Sequence, residues 1–288
     1  MGRPELGRYR AFLVDLDGVL IRGGQPLPGA VEALQRLREL GRVIVFSNNS
    51  TRSRRAFAAR LQREGFAVAP EEVVNSAYIL GRRLLELSGP SKVFMIGEEG
   101  LKEELELAGH RLVGPEEANF LVTGMDRELS YEKLLLALRA LRRGARFFAA
   151  NADPTYPTPE GEVPGAGAVV GAIQGMGFPP EEVVGKPAEV AFRVALEAAG
   201  VKDPRDCLVI GDRLETDVLG ARRAGLESAL VLTGVTSPDE LEESPIRPTY
   251  VAESLAALVG VKPREGRSPR GGGGPSLPSP RRRSRSRR

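Results

Sequence analysis

Two aspartates stand one residue apart at the end of an apolar run. They are Asp15 and Asp17 in the stretch "FLVDLDGVL", Phe12–Leu20. An Asp-Gly pair after a strand is typical of a hairpin turn, which would require a second strand within a few residues. The next residues, Arg22–Gly29 ("RGGQPLPG"), are instead predicted to form a loop before an amphipathic helix. The two carboxylates therefore need a chemical explanation.

Polar and charged residues also stand at the ends of other predicted strands. A hydroxyl and two amides end "RVIVFSNN", two more aspartates follow "DCLVI", and a lysine precedes the proline of "VVGKP". In that order, these residues are Ser47, Asn48, Asn49, Asp212, Asp217 and Lys186. Taken singly, each has a structural explanation as a helix cap, a turn residue, a charge favoured by a helix dipole, or a solvated loop charge.

Taken together, these residues predict one site. Ligands of open parallel sheets bind beyond the carboxyl ends of the strands. Carboxylates that meet there repel one another unless a cation joins them. Oxygen ligands with few His or Cys favour Mg²⁺, while a hydroxyl, turn amides and a lysine suit the oxygens of a phosphate.

The elements that would position these residues alternate between strand and helix. Short apolar strands such as "YRAFLVD", "RVIVFS", "KVFMIG" and "NFLVTG" are each followed by a helical pattern. In "PGAVEALQRLRELG", for example, Val31, Leu34, Leu37 and Leu40 recur at helical spacing. Strands that are apolar throughout and alternate with helices predict an α/β fold with parallel sheets covered on both faces. The 288 residues have room for two such units.

The composition argues against several other functional classes. The single cysteine, Cys207, lies in an apolar strand pattern and is predicted to be a buried core thiol, and the only histidine, His110, stands at a predicted helix end. Mechanisms built on Ser-His or Cys-His pairs, and His-rich zinc sites, are therefore poorly supported. No apolar run approaches the ~20 residues of a membrane span and the start lacks a signal-peptide segment, so we expect a soluble cytoplasmic protein.

The basic charge of the chain is concentrated at one end. Residues 261–288 hold ten Lys or Arg and one acidic residue, whereas the rest has 31 basic and 37 acidic residues, a balance of −6. This Gly-, Pro-, Ser- and Arg-rich tail is predicted to be disordered. It could bind nucleic acid electrostatically. Because no aromatic residue is interleaved with the arginines and no nucleic-acid-binding fold precedes them, nucleic-acid binding is only a remote alternative.

Four motifs in a fixed order make the chain resemble the haloacid dehalogenase (HAD) superfamily of phosphatases. They are "DLDGVL", "SNNS", "VGKP" and "GDRLETD". Two further stretches, "DGVLIRGGQPLPGA" and "ANADPTYPTPEGEVPGAGAVVGAI", resemble the branch of 4-nitrophenylphosphatases, phosphoglycolate phosphatases and NagD-type nucleotide phosphatases, although Ile21 stands where many members carry an aromatic residue. The resemblance covers roughly residues 9–260 and leaves out the tail.

The resemblance implies a HAD-like Rossmannoid core with a parallel sheet and an inserted α/β cap of the C2 type. About 135 residues separate "SNNS" from "VGKP", which fits a large insertion. We therefore expect a catalytic core from residues 1–76 and 184–260, a cap from residues 77–183 and a disordered tail from residues 261–288. Members of the family often pair through their caps, so a homodimer is expected as well.

The resemblance also implies a role for each motif residue. Asp15 would be the nucleophile that forms an aspartyl-phosphate, and Asp17 the general acid and then the general base. In an extended strand residues i and i+2 point the same way, so both carboxylates can reach one phosphate. Mg²⁺ would be held by Asp15, the backbone carbonyl of Asp17, Asp212 and Asp217. The phosphate would be held by Ser47, Asn48, Asn49 and Lys186.

The resemblance leaves the substrate open. Within a Mg²⁺-dependent phosphomonoesterase, 4-nitrophenyl phosphate or phosphoglycolate-like esters compete with nucleoside monophosphates and sugar phosphates. Asn151 and Asp153 would contact the substrate from the cap or, alternatively, stabilise a turn. A phosphonatase would need a Schiff-base lysine in the cap, and none of Lys92, Lys102 and Lys133 lies in a recognisable motif for it.

Overall fold

Two parallel sheets organise the chain, which a computed structural model describes over residues 4–158 and 161–262. The larger sheet has six strands, all parallel. In spatial order they are β15 (Tyr250–Ala252), β14 (Glu227–Val231), β13 (Cys207–Gly211), β1 (Ala11–Val14), β4 (Arg42–Ser47) and β5 (Val73–Asn75). The first motif therefore follows a central strand, with the second and fourth motifs on its neighbours.

The smaller sheet has five parallel strands, all within the range predicted for the cap. In spatial order they are β12 (Glu182–Val183), β9 (Arg146–Ala149), β8 (Phe120–Thr123), β6 (Lys92–Ile96) and β7 (Arg111–Leu112). The prediction of an α/β fold with parallel sheets is confirmed. The domain boundaries at residues 76/77 and 183/184 stay a prediction, and we use "cap" for residues 77–183 in that sense.

Ten helices cover these sheets in the part of the chain that the structure describes. They are α1 (Ala30–Leu40), α2 (Arg54–Arg63), α3 (Ser76–Ser88), α4 (Glu99–Leu107), α5 (Tyr131–Arg142), α6 (Ala166–Gln174), α7 (Glu189–Ala199), α8 (Leu219–Arg223), α9 (Pro238–Glu243) and α10 (Leu255–Val259). A π-helical turn, Leu214–Val218, leads into α8. Several helices begin at a capping side chain: Ser53 accepts a hydrogen bond from the Ala56 N–H, and Ser130 from the Lys133 N–H.

The apolar strands of the larger sheet bury side chains on both faces. Leu13 and Phe46 belong to a buried cluster with α3 and α7 that continues into the cap, while Phe12 and Val45 face α1, α2 and α10 on the other side. Cys207 is fully buried in the first of these clusters, as predicted. This two-sided burial explains why these strands read as continuous apolar runs in the sequence.

Two short antiparallel hairpins stand outside the sheets. The first pairs β2 (Ile21–Arg22) with β3 (Gln25–Pro26), so the prediction of a plain loop over Arg22–Gly29 is wrong. Gly23 and Gly24, with φ of 55° and 80°, form the turn, which needs positive φ at both central residues. The second hairpin pairs β10 (Thr155–Thr158) with β11 (Gly161–Pro164) in the cap.

The cap is in direct contact with the core through α4. The buried carboxylate of Glu104 accepts hydrogen bonds from the Arg54 N–H at 2.7 Å and from Arg54 Nε at 3.1 Å. A Cβ on Gly100 would lie 2.2 Å from the backbone of Arg52, so α4 begins directly against the loop before α2. A charged side chain of the cap thereby holds the first turn of a core helix.

Two further predictions from the sequence concern a membrane-spanning helix and the tail at residues 261–288. Within residues 4–158 and 161–262, the structure contains no helix with the length and apolar character that crossing a membrane requires. The predicted disordered tail lies outside the described residues except for Val261 and Lys262.

Candidate active site

Lys186 lies buried between two of the predicted site carboxylates. Its Nζ donates to Asp15 Oδ1 and to Asp217 Oδ1, both at 2.6 Å, and to the carbonyl of Phe46 at 3.0 Å. Asp15 directly follows β1, while Asp217 lies in the π-helical turn after β13. The ammonium group thus ties together residues that are far apart in the sequence.

Three buried aspartates form a cluster around this lysine. Asp15, Asp212 and Asp217 each offer a carboxylate oxygen within 4.8 Å of the other two. Asp212 follows β13, and its Oδ2 accepts a hydrogen bond from the Val235 N–H at 2.7 Å. A Cβ on Gly18 or Gly234 would lie 2.4 or 1.8 Å from that oxygen, so both glycines leave the space that Asp212 occupies.

The cluster fits a divalent cation. Three buried carboxylates against one ammonium group leave an excess of negative charge, which is costly without a further cation. Hard oxygen donors are the ligands that Mg²⁺ and Ca²⁺ prefer. Among the described residues, the carboxylate of Asp17 is not part of this cluster. The group that Asp17 is predicted to offer to the metal is its backbone carbonyl.

Burial raises the pKa of three carboxyl groups at this site, those of Asp15, Asp17 and Asp212. Burial raises the pKa of Asp15 well above its ordinary value, Lys186 opposes the rise, and Asp217 and Asp212 add to it. Burial raises the pKa of Asp17 to about 6, and burial with the charge of Asp217 raises that of Asp212 to about 6. Burial alone would lower the pKa of Lys186, but Asp15 and Asp217 outweigh it and raise that pKa, so the lysine is cationic.

The last residue of β4 and the loop after it carry three of the predicted phosphate-binding residues, and this segment is held by its own side chains. Ser47 Oγ accepts a hydrogen bond from the Asn49 N–H at 3.1 Å. Asn49 Oδ1 in turn accepts from the N–H and the hydroxyl of Thr51, at 2.9 and 2.7 Å, which is an Asx turn. Ser76 Oγ donates to the carbonyl of Asn48 at 2.5 Å. The side-chain oxygen of Asn49 is therefore engaged within the loop.

Asn48 joins three segments of the chain. Its Oδ1 accepts from the Lys186 N–H at 2.8 Å, and its Nδ2 donates to the Lys186 carbonyl at 3.0 Å. The same Nδ2 donates to Asp153 Oδ2 in the cap at 2.9 Å. A Cβ on Gly185 would lie 2.7 Å from Asn48 Oδ1 and 2.6 Å from the Ala150 carbonyl, so a side chain there would push these segments apart.

The two predicted cap residues lie in the same network. Asn151 Nδ2 donates to Asp153 Oδ2 at 2.6 Å, and the buried Oδ1 of Asn151 has no hydrogen-bond partner in the described structure. The Asp153 carbonyl accepts from the Gly167 N–H at 2.9 Å, and a Cβ on Gly165 would lie 2.3 Å from that carbonyl oxygen. The glycines before and within the first turn of α6 thus allow close backbone packing against the Asp153 segment.

A cavity of about 620 Å³ brings all ten predicted residues together. They are Asp15, Asp17, Ser47, Asn48, Asn49, Asn151, Asp153, Lys186, Asp212 and Asp217. The cap hairpin adds Thr155, Tyr156 and Glu162, and the first hairpin adds Arg22, none of which we singled out from the sequence. Burial and the nearby Asp17 raise the pKa of Tyr156 to about 12. The only sequence signal for this side of the cavity is the "TYPTPEGEV" stretch as a whole.

The chain matches known families over most of its described length. A family of haloacid dehalogenase-like hydrolases matches residues 12–111, and a HAD-hydrolase-like family matches residues 183–258. Mouse chronophin is 38% identical over 276 residues, which cover 89% of this chain and 94% of chronophin.

Two solved structures show the same fold at substantial identity. The p-nitrophenyl phosphatase from Archaeoglobus fulgidus is 40% identical, with a TM-score of 0.83 over 88% of this chain and 98% of its own. The glycerol phosphate phosphatase from Mycobacterium tuberculosis, solved in complex with magnesium, is 36% identical, with a TM-score of 0.82 over 89% and 78% of the two chains. These likenesses extend across both sheets.

Proposed function

The chain belongs to the haloacid dehalogenase-like hydrolases, and we propose that it hydrolyses small phosphate monoesters in the cavity around Lys186. It is an enzyme of the phosphoric monoester hydrolase class, like the phosphatases it resembles. The observation that supports the proposal best is the buried lysine, 2.6 Å from both Asp15 and Asp217, within a cluster of three carboxylates. A structural ion pair would not require three acids around one cation.

Asp15 acts as the nucleophile in this proposal. A carboxylate oxygen of Asp15 forms a bond to phosphorus while the bond from phosphorus to the ester oxygen breaks. Asp17 gives its proton to the departing alcohol, and then takes a proton from the water that hydrolyses the aspartyl-phosphate. The products are the alcohol and inorganic phosphate, and both carboxyl groups return to their starting state.

The residues around the nucleophile hold the phosphoryl oxygens. Lys186 is buried and cationic, so its charge acts at low dielectric on the group being transferred. Ser47 at the end of β4 and the main-chain N–H of Asn48 contribute further donors. The side chain of Asn48 is occupied by Lys186 and Asp153, which leaves only its main-chain N–H for the phosphate.

Members of this family use a divalent metal, and we propose Mg²⁺ for this chain. Asp15, the Asp17 carbonyl, Asp212 and Asp217 would hold it, and the ion would neutralise charge on the phosphate when bound. Support comes from the oxygen-only donor set and from the magnesium complex of the glycerol phosphate phosphatase.

The cap side of the cavity favours small polar alcohols as leaving groups. Thr155, Tyr156, Thr158 and Glu162 line it with hydroxyl and carboxylate groups. Such groups suit a polyol such as glycerol, while 4-nitrophenyl phosphate serves as an activated test ester. Sugar phosphates fit the same chemistry and are the second candidate class.

Release of inorganic phosphate tests the proposal. The wild type is assayed with 4-nitrophenyl phosphate, glycerol 3-phosphate, phosphoglycolate, a sugar phosphate and a nucleoside monophosphate, each with Mg²⁺ and with a chelator. Asp15→Asn, which keeps the shape but removes the nucleophile, should abolish turnover. Turnover that survives in Asp15→Asn or in the chelator would contradict the proposed mechanism. Pairing through the cap, a cytoplasmic location and the absence of nucleic-acid binding remain predictions.

A further inference from the structure

Asp153 of the cap lies two hydrogen bonds away from the main chain of the active-site lysine. Its Oδ2 accepts from Asn48 Nδ2 at 2.9 Å, and Asn48 holds both the N–H and the carbonyl of Lys186. Asn151 Nδ2 donates to the same Asp153 oxygen at 2.6 Å. Both polar atoms of the Asn48 side chain are therefore fixed by partners within the protein.

This arrangement orients the Asn48 amide. An amide side chain can rotate by half a turn and exchange its oxygen and nitrogen. In the rotated form the oxygen of Asn48 would face the Asp153 carboxylate and the Lys186 carbonyl, and its NH₂ would face the Lys186 N–H. All three contacts would then be repulsive, so the carboxylate of Asp153 acts together with the Lys186 main chain to favour the orientation that clamps Lys186.

The surrounding packing leaves little freedom for these segments to separate. Gly185, the neighbour of Lys186, lies where a Cβ would be 2.7 Å from Asn48 Oδ1 and 3.1 Å from Asn151 Cβ. The Asp153 backbone is in turn held by the Gly167 N–H at 2.9 Å. The carboxylate thus stands on a fixed support, as expected for a group that positions another.

We infer that Asp153 is a positioning residue that sets the place of Lys186 through Asn48, rather than a residue that selects the alcohol of the substrate. The inference rests on the proposed function, since it assigns Lys186 to the transferred phosphoryl group. Every ester presents the same phosphoryl group to Lys186. Loss of Asp153 therefore weakens catalysis equally for all esters, whereas loss of an alcohol contact affects them unequally.

Three variants and a control test the inference. Asp153→Ala removes the acceptor, and Asp153→Leu does the same with a larger side chain of the same branched shape, in case the alanine variant fails to fold. Asp153→Asn keeps one oxygen that can accept both hydrogen bonds. Asp126→Ala is the matched control, since Asp126 is a buried cap carboxylate that, like the half-buried Asp153, has two donors, the Glu128 N–H and Lys133 Nζ, but makes no contact with Asn48 in the described structure.

The measurements are kcat and KM for 4-nitrophenyl phosphate, glycerol 3-phosphate and a nucleoside monophosphate, and the calorimetric Kd of inorganic phosphate. Asp153→Ala should lower kcat by about 10- to 100-fold, by analogy with the loss of the supporting partner of a metal ligand, and by the same factor for each ester. It should also weaken phosphate binding. Asp153→Asn should stay within about threefold of the wild type, and Asp126→Ala should keep wild-type kcat and phosphate affinity.

Several results would overturn the inference. They are an effect of Asp153→Ala confined to the KM of one ester, a phosphate Kd that does not change, or equal losses in Asp153→Asn and Asp153→Ala. A wild type that turns over none of the esters would contradict the proposed function, and the phosphate affinities of the variants would then decide the inference separately. A wild type that does not bind phosphate would overturn both.

Discussion

Glu104 offers a test of how much one buried contact between the cap and the core contributes to stability. Its side chain is 1% exposed and accepts two hydrogen bonds from Arg54, one of them from the first N–H of α2. Glu104→Ala leaves that N–H and the guanidinium without this partner. Hydrogen bonds to a charged group contribute about 1.5–3 kcal/mol each, and removing one partner of a buried ion pair costs about 3–5 kcal/mol.

The exposure of Arg54 sets the expected value within that range. Its side chain is 24% exposed, so water can replace part of the lost bond at Nε. We therefore expect a loss of about 3 kcal/mol, near the lower limit for a buried pair. For a chain of this size, about 2–4 °C in Tm corresponds to each kcal/mol, so Tm should fall by about 6–12 °C.

Differential scanning calorimetry of the full chain measures this shift. Glu99→Ala is the matched control, because Glu99 lies on the same helix and pairs with Lys102 at 3.2 Å but is 76% exposed. Such a surface pair contributes less than about 1 kcal/mol. Equal shifts in Glu104→Ala and Glu99→Ala would refute the reasoning that burial makes the Glu104 contact strong.

Three further predictions concern the close packing at Gly185, the metal site and the stability of the fold in acid. Gly185→Ala should lower the free energy of unfolding by about 1–3 kcal/mol, because the new Cβ forces neighbouring atoms apart, and it should also lower kcat. The control is Gly171→Ala on α6, where the new Cβ has open space, so thermal unfolding should show no change or a stabilisation of up to about 1 kcal/mol. Mg²⁺ at a hundred times its Kd should stabilise the wild type by about 2.7 kcal/mol, and a similar gain in Asp212→Asn would contradict binding at the aspartate cluster. Burial alone would raise the pKa of Glu72, but hydrogen bonds from Arg38 and the Ala69 N–H outweigh it and hold that pKa below its ordinary value of 4.5. A carboxyl group whose pKa is depressed in the folded state stabilises the fold at pH values above its unfolded-state pKa, and this stabilisation is lost as the pH falls. Glu72→Gln should therefore lower the thermal denaturation midpoint at pH 7 but not near pH 3. A difference in midpoint between variant and wild type that does not change with pH would contradict this expectation.

The fold was predictable because burial leaves a strong mark on the sequence. Strands such as β1, β4 and β13 are covered on both faces, so they read as continuous apolar runs, and polar residues at their ends mark the ligand-binding edge. The first hairpin was missed because strands of two residues show no periodicity. The Gly23-Gly24 pair, which allows positive φ at both turn residues, is the sequence signal for this hairpin.

The network around Asn48 could not be predicted from the sequence. A motif places Asn48 after β4, but its partners Asp153 and Lys186 are 105 and 138 residues away. Which of several polar atoms meet across such a separation in sequence is decided by the packing of the cap against the core. The same limit applies to Glu104, whose sequence context reads as an ordinary exposed helix while its carboxylate is buried against Arg54.

The order of strands in the larger sheet has a consequence for synthesis of the chain. β1 lies between β4 and β13, so one of its edges stays without a partner until the segment beginning at Cys207 has been made. At about 5–20 residues per second, the ribosome needs roughly 10–40 s to reach that point. During this time Ala11–Val14 presents an apolar strand edge that favours aggregation.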